Sequence, residues 1–150
     1  MICEGSMADD NFYMKQALQE AQKAFEKGEV PVGAVVVCRD RIIARSYNLT
    51  ETLTDVTAHA EMQAITAAAN YLGGKYLNGC TLYVTVEPCV VCAGASAWSQ
   101  MGSLVFGAAD EKRGYQRYAP QALHPKTMVR QGVLAEDCAS LMKDFFKKRR

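Results

Sequence analysis

The chain reads as an α/β domain with a central mixed sheet of five strands, and two observations carry that reading. Segments with apolar residues at helical spacing alternate with β-branched runs along the chain, the order in which helices are layered on a sheet. At 150 residues, 49% of them hydrophobic and 22% charged, the chain can bury one core and fits one domain.

Met14, Ala17, Leu18, Ala21 and Phe25 recur on one helical face, and Gly28 stops the run. Val32 to Cys38 and Arg41 to Tyr47 are two strands around a turn at Arg39-Asp40. A second helix carries His59 and runs to about Leu72, where Gly73-Gly74 ends it. Cys80 to Val86, rich in β-branched and aromatic residues, is the third strand. It leads into a helix that holds Cys89 and Cys92. Leu104 to Ala108 is a fourth strand and Met128 to Leu134 a fifth. Leu141, Met142 and Phe145 mark the apolar face of a C-terminal helix.

Composition removes several classes. No run of about 18 apolar residues is present to span a membrane. Met1 to Asp10 lacks a basic region followed by an apolar segment, so no secretory signal is visible. Residues 1–10 read as an N-terminal extension, with Met1 to Ser6 an appended leader ahead of a start at Met7, and residues 11–150 as the domain. Six cysteines without an export signal point to reduced thiols and metal binding in a cytoplasmic protein.

The chemistry concentrates in His59-Ala60-Glu61 and Pro88-Cys89-Val90-Val91-Cys92. His59, Cys89 and Cys92 are three zinc-type ligands, and Glu61 is a carboxylate beside them. A structural zinc is closed by four protein ligands, whereas a catalytic one keeps three and an open position. Cys80 lies at the far end of a strand about 20 Å long and does not reach the cluster. Cys3, Cys38 and Cys138 have no partner at ligand spacing.

Pro88 suits the first position of a helix, which would place Cys89 and Cys92 on one helical face. His59 and Glu61, about 200° apart around an ideal helix, must then sit in a first turn and point off its end. Asp55 or Thr57 is the N-cap candidate for that helix. Alone, Cys-x-x-Cys equally suits a redox pair or part of a structural zinc site. Joined to His-x-Glu it matches the zinc deaminase signature, in which the Glu is not a ligand.

His59 to Ile65, then Pro88 to Ala95, with Glu29 to Val35, Leu82 to Cys89, Val105 to Ala108 and Gly132 to Ala135, resemble the cytidine and deoxycytidylate deaminase superfamily, and within it the bacterial tRNA adenosine deaminases. The resemblance implies a three-layer αβα cytidine-deaminase-like domain. It further implies one Zn²⁺ per subunit, with a water or hydroxide as fourth ligand and Glu61 as the proton-transferring acid and base. The implied reaction converts adenosine to inosine at the wobble position of a tRNA anticodon.

The same resemblance assigns Asn48 to contact with the base and Val30 and Pro31 to the pocket wall; read by themselves, Asn48 is equally a turn residue and Pro31 a loop residue. It also implies a homodimer with a shared pocket, for which Trp98, beside the cysteine helix, is a contact candidate.

A net charge of +1 carries no global signature of nucleic-acid binding. Charge is locally concentrated, however. Arg113 and Arg117 are interleaved with tyrosines, and Phe146, Lys147, Lys148 and Arg149 lie in an aromatic and basic tail. Such sets bind unpaired RNA through phosphate contacts and stacking; the plainer account is a cation-stabilised helix end and a solvated loop.

Two alternatives accompany this reading. Trp98 matches the aromatic position of guanine deaminases, so a free-base or nucleoside deaminase acting on guanine, cytosine or cytidine would share the same zinc centre. A zinc-stabilised binding module without catalysis would have no use for Glu61.

Overall fold

A computed structural model describes residues 7–149. The elements in chain order are α1 (Met7–Glu26), β1 (Gly33–Cys38), β2 (Arg41–Tyr47), α2 (Ala60–Leu72), β3 (Cys80–Val86), α3 (Val90–Trp98), β4 (Ser103–Ala108), α4 (Tyr115–Tyr118), β5 (Met128–Gln131) and α5 (Ala135–Lys148). The sheet order is β2-β1-β3-β4-β5. β1 is antiparallel to both β2 and β3, while β3, β4 and β5 run parallel. The sheet is therefore mixed, and the architecture is the three-layer αβα one.

Alternation of side chains along the strands separates two cores. Ala34, Val36, Leu82, Val84, Leu104 and Phe106 pack under Ala60, Ala64 and Ala68 of α2 and Ala93 of α3. Their neighbours Val35, Val37, Tyr83 and Val105 face Met14 and Ala17 of α1 and Cys138 of α5. Small alanines on α1 and α2 let both helices lie close to the sheet. β3 is buried along its whole length because helices cover both of its faces.

The turn between β1 and β2 holds Arg39 and Asp40 at φ of 53° and 61°, the left-handed pair that a two-residue hairpin requires. Gly73 ends α2 at φ 69°, and its N–H bonds to Ala69 and Asn70 carbonyls, a glycine C-cap.

Three expectations shift, and one falls outside the described residues. α1 starts at Met7, so a boundary after residue 10 falls inside a helix; Asp10 is buried and ion-paired to Arg130 at 2.7 Å. The expected leader, residues 1–6, and Cys3 with it, lie outside the described residues. β5 stops at Gln131 instead of Leu134, because Gly132 and Leu134 adopt φ of 84° and 54° and turn the chain into α5. The short α4 was not expected, and it buries Tyr115 against Phe106.

Candidate metal centre and active site

Parallel strands deliver their carboxyl ends to one edge of the domain, where sites form in α/β sheets. β3 runs directly through Glu87 and Pro88 into α3, and the start of α2 meets it there. His59 is the N-cap of α2 and Cys89 the N-cap of α3, both with extended backbone. Glu61 falls in the first turn of α2 as the spacing requires. Asp55 and Thr57 do not cap the helix. The Asp55 carboxylate instead accepts from the Thr57 N–H at 2.8 Å and hydroxyl at 2.7 Å, closing a local turn. Pro88 lies two positions before α3 and not at its first position. Cys89 and Cys92 are therefore presented as N-cap and third residue, not as two residues of one helical face.

His59, Cys89 and Cys92 form the metal-competent group among the described residues, with their ligand atoms all within 4.8 Å of one another. The His59 Nδ1 lies 3.3 Å from Cys92 Sγ and 3.5 Å from Cys89 Sγ. Tetrahedral zinc with ordinary bond lengths separates a nitrogen from a sulfur ligand by about 3.5 Å. The donor set fits that ion.

The metal-free cluster is strongly polarised. Cys89 is lowered to about 4, first by the Cys92 thiol and also by His59, against the opposing effect of burial. Cys92 is pushed far above the usual thiol range, first by Cys89 and then by burial. His59 is raised, first by Cys89. A thiolate is thus ready at Cys89, and capture of a metal displaces the Cys92 proton. Burial raises Glu61 to about 7, so its carboxyl is poised to exchange a proton near neutrality.

The base-contact candidates gather near this edge. Asn48 follows β2; its N–H donates to Val32 O at 3.0 Å, which brings it beside the Val30-Pro31 segment. The next residue, Leu49, donates to Ala58 O at 3.0 Å, directly before His59. Asn48 is 5% exposed, and its Oδ1 is buried without a hydrogen-bond partner. An unmet buried amide oxygen is costly to the fold, and this one is free to accept a hydrogen bond.

The basic candidates divide in two. Arg113 and Arg117 are exposed on the segment around α4. That segment is fastened to the metal strand: Cys89 bridges Gly114, Tyr115 N–H donates to Pro88 O at 2.9 Å, and Glu87 accepts from the N–H groups of Asp110 and Gln116 at 3.0 Å each. A Cβ on Gly114 would stand 2.3 Å from the Glu87 carboxyl, so the close approach requires glycine there. Phe146, Lys147, Lys148 and Arg149 sit instead at the end of α5. Lys148 lies over Phe25, and Arg149 lies over Phe145 and donates to Gly28 O. Tyr115, part of the interleaved set, is core and unavailable for stacking.

Local pattern missed three buried or half-buried anchors: Glu87, Glu29 and Gln63. Glu29 accepts from the Thr52 N–H and hydroxyl, both at 2.7 Å, and from Glu51 N–H at 3.1 Å. An acidic residue in the otherwise apolar Glu29 to Val35 and Leu82 to Val86 surroundings was the available signal.

A family model described as MafB19-like deaminase matches residues 8–150. The chain belongs to this deaminase family. A similar relative is the "tRNA-specific adenosine deaminase" of Bacillus subtilis (strain 168), 46% identical over 149 residues that make up 96% of this chain and 92% of the relative. Among solved structures, one from a study of A-to-I editing by tRNA:A34 deaminases at the wobble position is 42% identical. It has a TM-score of 0.81 and covers 87% of this chain and 98% of its own. A guanine deaminase from Bacillus subtilis is 33% identical with a TM-score of 0.63, over 75% of this chain and 69% of its own. As a family member the chain is a deaminase, an enzyme, with a histidine and two cysteines arranged to hold a metal.

Proposed function

We propose that the chain hydrolytically deaminates adenosine to inosine at the wobble position of a tRNA anticodon, as a homodimer in the cytoplasm. The observation that carries the catalytic part is Glu61, buried and raised to about 7 beside a three-ligand cluster. Similarity to tRNA-specific adenosine deaminases carries the substrate.

His59, Cys89 and Cys92 would hold the zinc, which when bound would supply a Lewis acid that brings water's pKa to about 7. Glu61 accepts a first proton from the water and delivers it to a ring nitrogen of the base, then takes the remaining hydroxyl proton and passes it to the departing amine, which leaves as ammonia. Water and adenosine are consumed; inosine and ammonia leave. Asn48 holds the purine edge through its unpaired oxygen and its amide hydrogens, and Val30 and Pro31 form the pocket wall. Arg113, Arg117, Lys147, Lys148 and Arg149 take phosphates, and Phe146, 49% exposed, offers a stacking face. Trp98 is 86% exposed on α3, an aromatic suited to the second subunit.

The zinc-loaded protein incubated with an adenosine-containing anticodon stem-loop, with guanine and with cytidine decides the substrate. Inosine in the RNA alone is the expected result. Xanthine would replace the RNA reading with a free-base deaminase, uridine with a nucleoside deaminase, and no product with a binding module. Sedimentation at assay concentration tests the dimer; a monomer that is fully active would exclude a shared pocket.

A further inference from the structure

The side-chain amide of Gln63 stands where two parts of the site meet. Its Nε2 lies 2.8 Å from Tyr47 O, 3.1 Å from Ala58 O and 3.5 Å from His59 O. All three partners are carbonyl oxygens, so the nitrogen, and not the oxygen, of the amide must face them. Tyr47 is the last residue of β2, immediately before Asn48; Ala58 and His59 lead into α2. One NH₂ group therefore joins the strand end that presents Asn48 to the segment that presents His59 and Glu61.

Nothing else in the side-chain chemistry of this junction makes the same link. Ser46 Oγ donates to Ala60 O at 2.6 Å one residue further from Asn48. That bond and the Leu49 to Ala58 backbone bond hold the strand to the helix whether or not Gln63 is present. The role left to Gln63 is alignment and not closure.

We propose that Gln63 is a positioning residue that sets the Asn48 amide at its working distance from His59 and Glu61, and so fixes where the reacting base lies. The inference rests on the assignment of Asn48 to the base. Loss of the amide leaves three carbonyls facing one another without a shared donor, and their mutual repulsion moves the Tyr47-Asn48 end away from the start of α2. A displacement of about 1 Å at a reacting centre costs up to about 100-fold in rate.

Gln63→Met keeps the length and apolar stem while removing the donor; Gln63→Glu puts acceptors where the carbonyls need a hydrogen. Both are compared with Asn48→Ala and with the Gln63→Met, Asn48→Ala double variant, on whichever substrate the three-substrate assay selects. Failure of the RNA reading then changes the substrate and leaves the comparison intact. Gln63→Met should bind one zinc per chain and melt close to the parent while kcat/KM falls about 10- to 100-fold. Gln63→Glu should fall further. The double variant should be no worse than Asn48→Ala alone, since both act through one contact.

A second readout needs no turnover: in ¹⁵N correlation spectra of the zinc-loaded protein, Gln63→Met should shift amides near residues 47–50 and 58–61 and leave the far strands in place. Parent-like kcat/KM, multiplicative losses in the double variant, or shifts spread across the sheet with a fall in melting temperature would each overturn the proposal.

Discussion

Two carboxylates on opposite faces of the sheet are about equally hidden and are treated in opposite ways. On the α1 and α5 face, Asp10 accepts from the Tyr83 hydroxyl at 2.7 Å and from Arg130 Nε and Nη2 at 2.7 and 3.0 Å. Its charge is matched by donors from β3 and β5, and the triad ties α1 to the sheet. On the α2 and α3 face, burial lifts Glu61 to about 7 against the weaker opposing pull of a backbone hydrogen bond, His59 and Cys92. Asn48, near the same edge, keeps an unmet oxygen. A polar group that serves the fold is closed by its neighbours, whereas an acid lifted by burial and an unmet amide oxygen are what the proposed reaction would use.

The comparison breaks most visibly at Glu61. Glu61→Gln preserves shape but cannot carry protons, so kcat should fall by about 10²- to 10⁴-fold while bound metal and melting temperature stay near the parent values. Loss of metal along with activity would make Glu61 a ligand or a strut. Cys89→Ala is the contrasting variant: there the metal itself should be lost, as measured by zinc content after gel filtration.

At Asp10 the effects should exchange. Asp10→Ala leaves Tyr83 and Arg130 without their acceptor and should cost about 1.5–3 kcal/mol in urea unfolding, the range for hydrogen bonds to charged groups. The folded fraction should keep its kcat; a variant that is stable but slow would show that the two faces are coupled.

Ser96 sharpens the rule from a third direction, because its Oγ is also buried without a partner. If that hydroxyl serves no ligand, Ser96→Ala should stabilise by about 1 kcal/mol and leave kcat/KM alone. Asn48→Ala provides the reference, with unchanged or improved stability and impaired turnover. A turnover defect in Ser96→Ala would assign that hydroxyl to the site as well.

The smallest effect concerns pH. Burial alone would raise Glu29, but the donors from Thr52 and Glu51 outweigh it and the net shift is below 4.5. A carboxylate depressed by folding adds stability above its unfolded pKa and loses it as pH falls through the folded one. Glu29→Gln should therefore lower stability at pH 7, flatten the acid limb below about pH 4.5, and converge with the parent in strong acid. Glu61 has the opposite sign: its raised pKa means that metal-free protein loses stability as pH rises from 4.5 to about 7, and Glu61→Gln should remove that loss.

Much of this was legible in the chain. β2 and β3 have the expected bounds, and Gly73 ends α2 where the glycine pair stands. These features depend on residues within a few positions of one another. The fourth helix was not legible, because four residues carry too little periodicity and Tyr115 is drawn inward by Phe106 and by the Pro88 carbonyl. The helix caps are not legible for a related reason: Asp55 satisfies a turn of its own, and His59 and Cys89 take the cap positions with extended backbone and no side-chain capping bond.

By itself the sequence determined which groups are available: one imidazole, two sulfurs, one unligated acid, and an alternation of periods that stacks helices on a mixed sheet. Only the tertiary structure decided their state. The 3.3 and 3.5 Å separations, the burial that lifts Glu61, the unmet oxygen of Asn48 and the three-carbonyl clasp of Gln63 all join residues from different elements. Desolvation and hydrogen bonding act through space, and their strength is set by distances that local residue patterns do not encode.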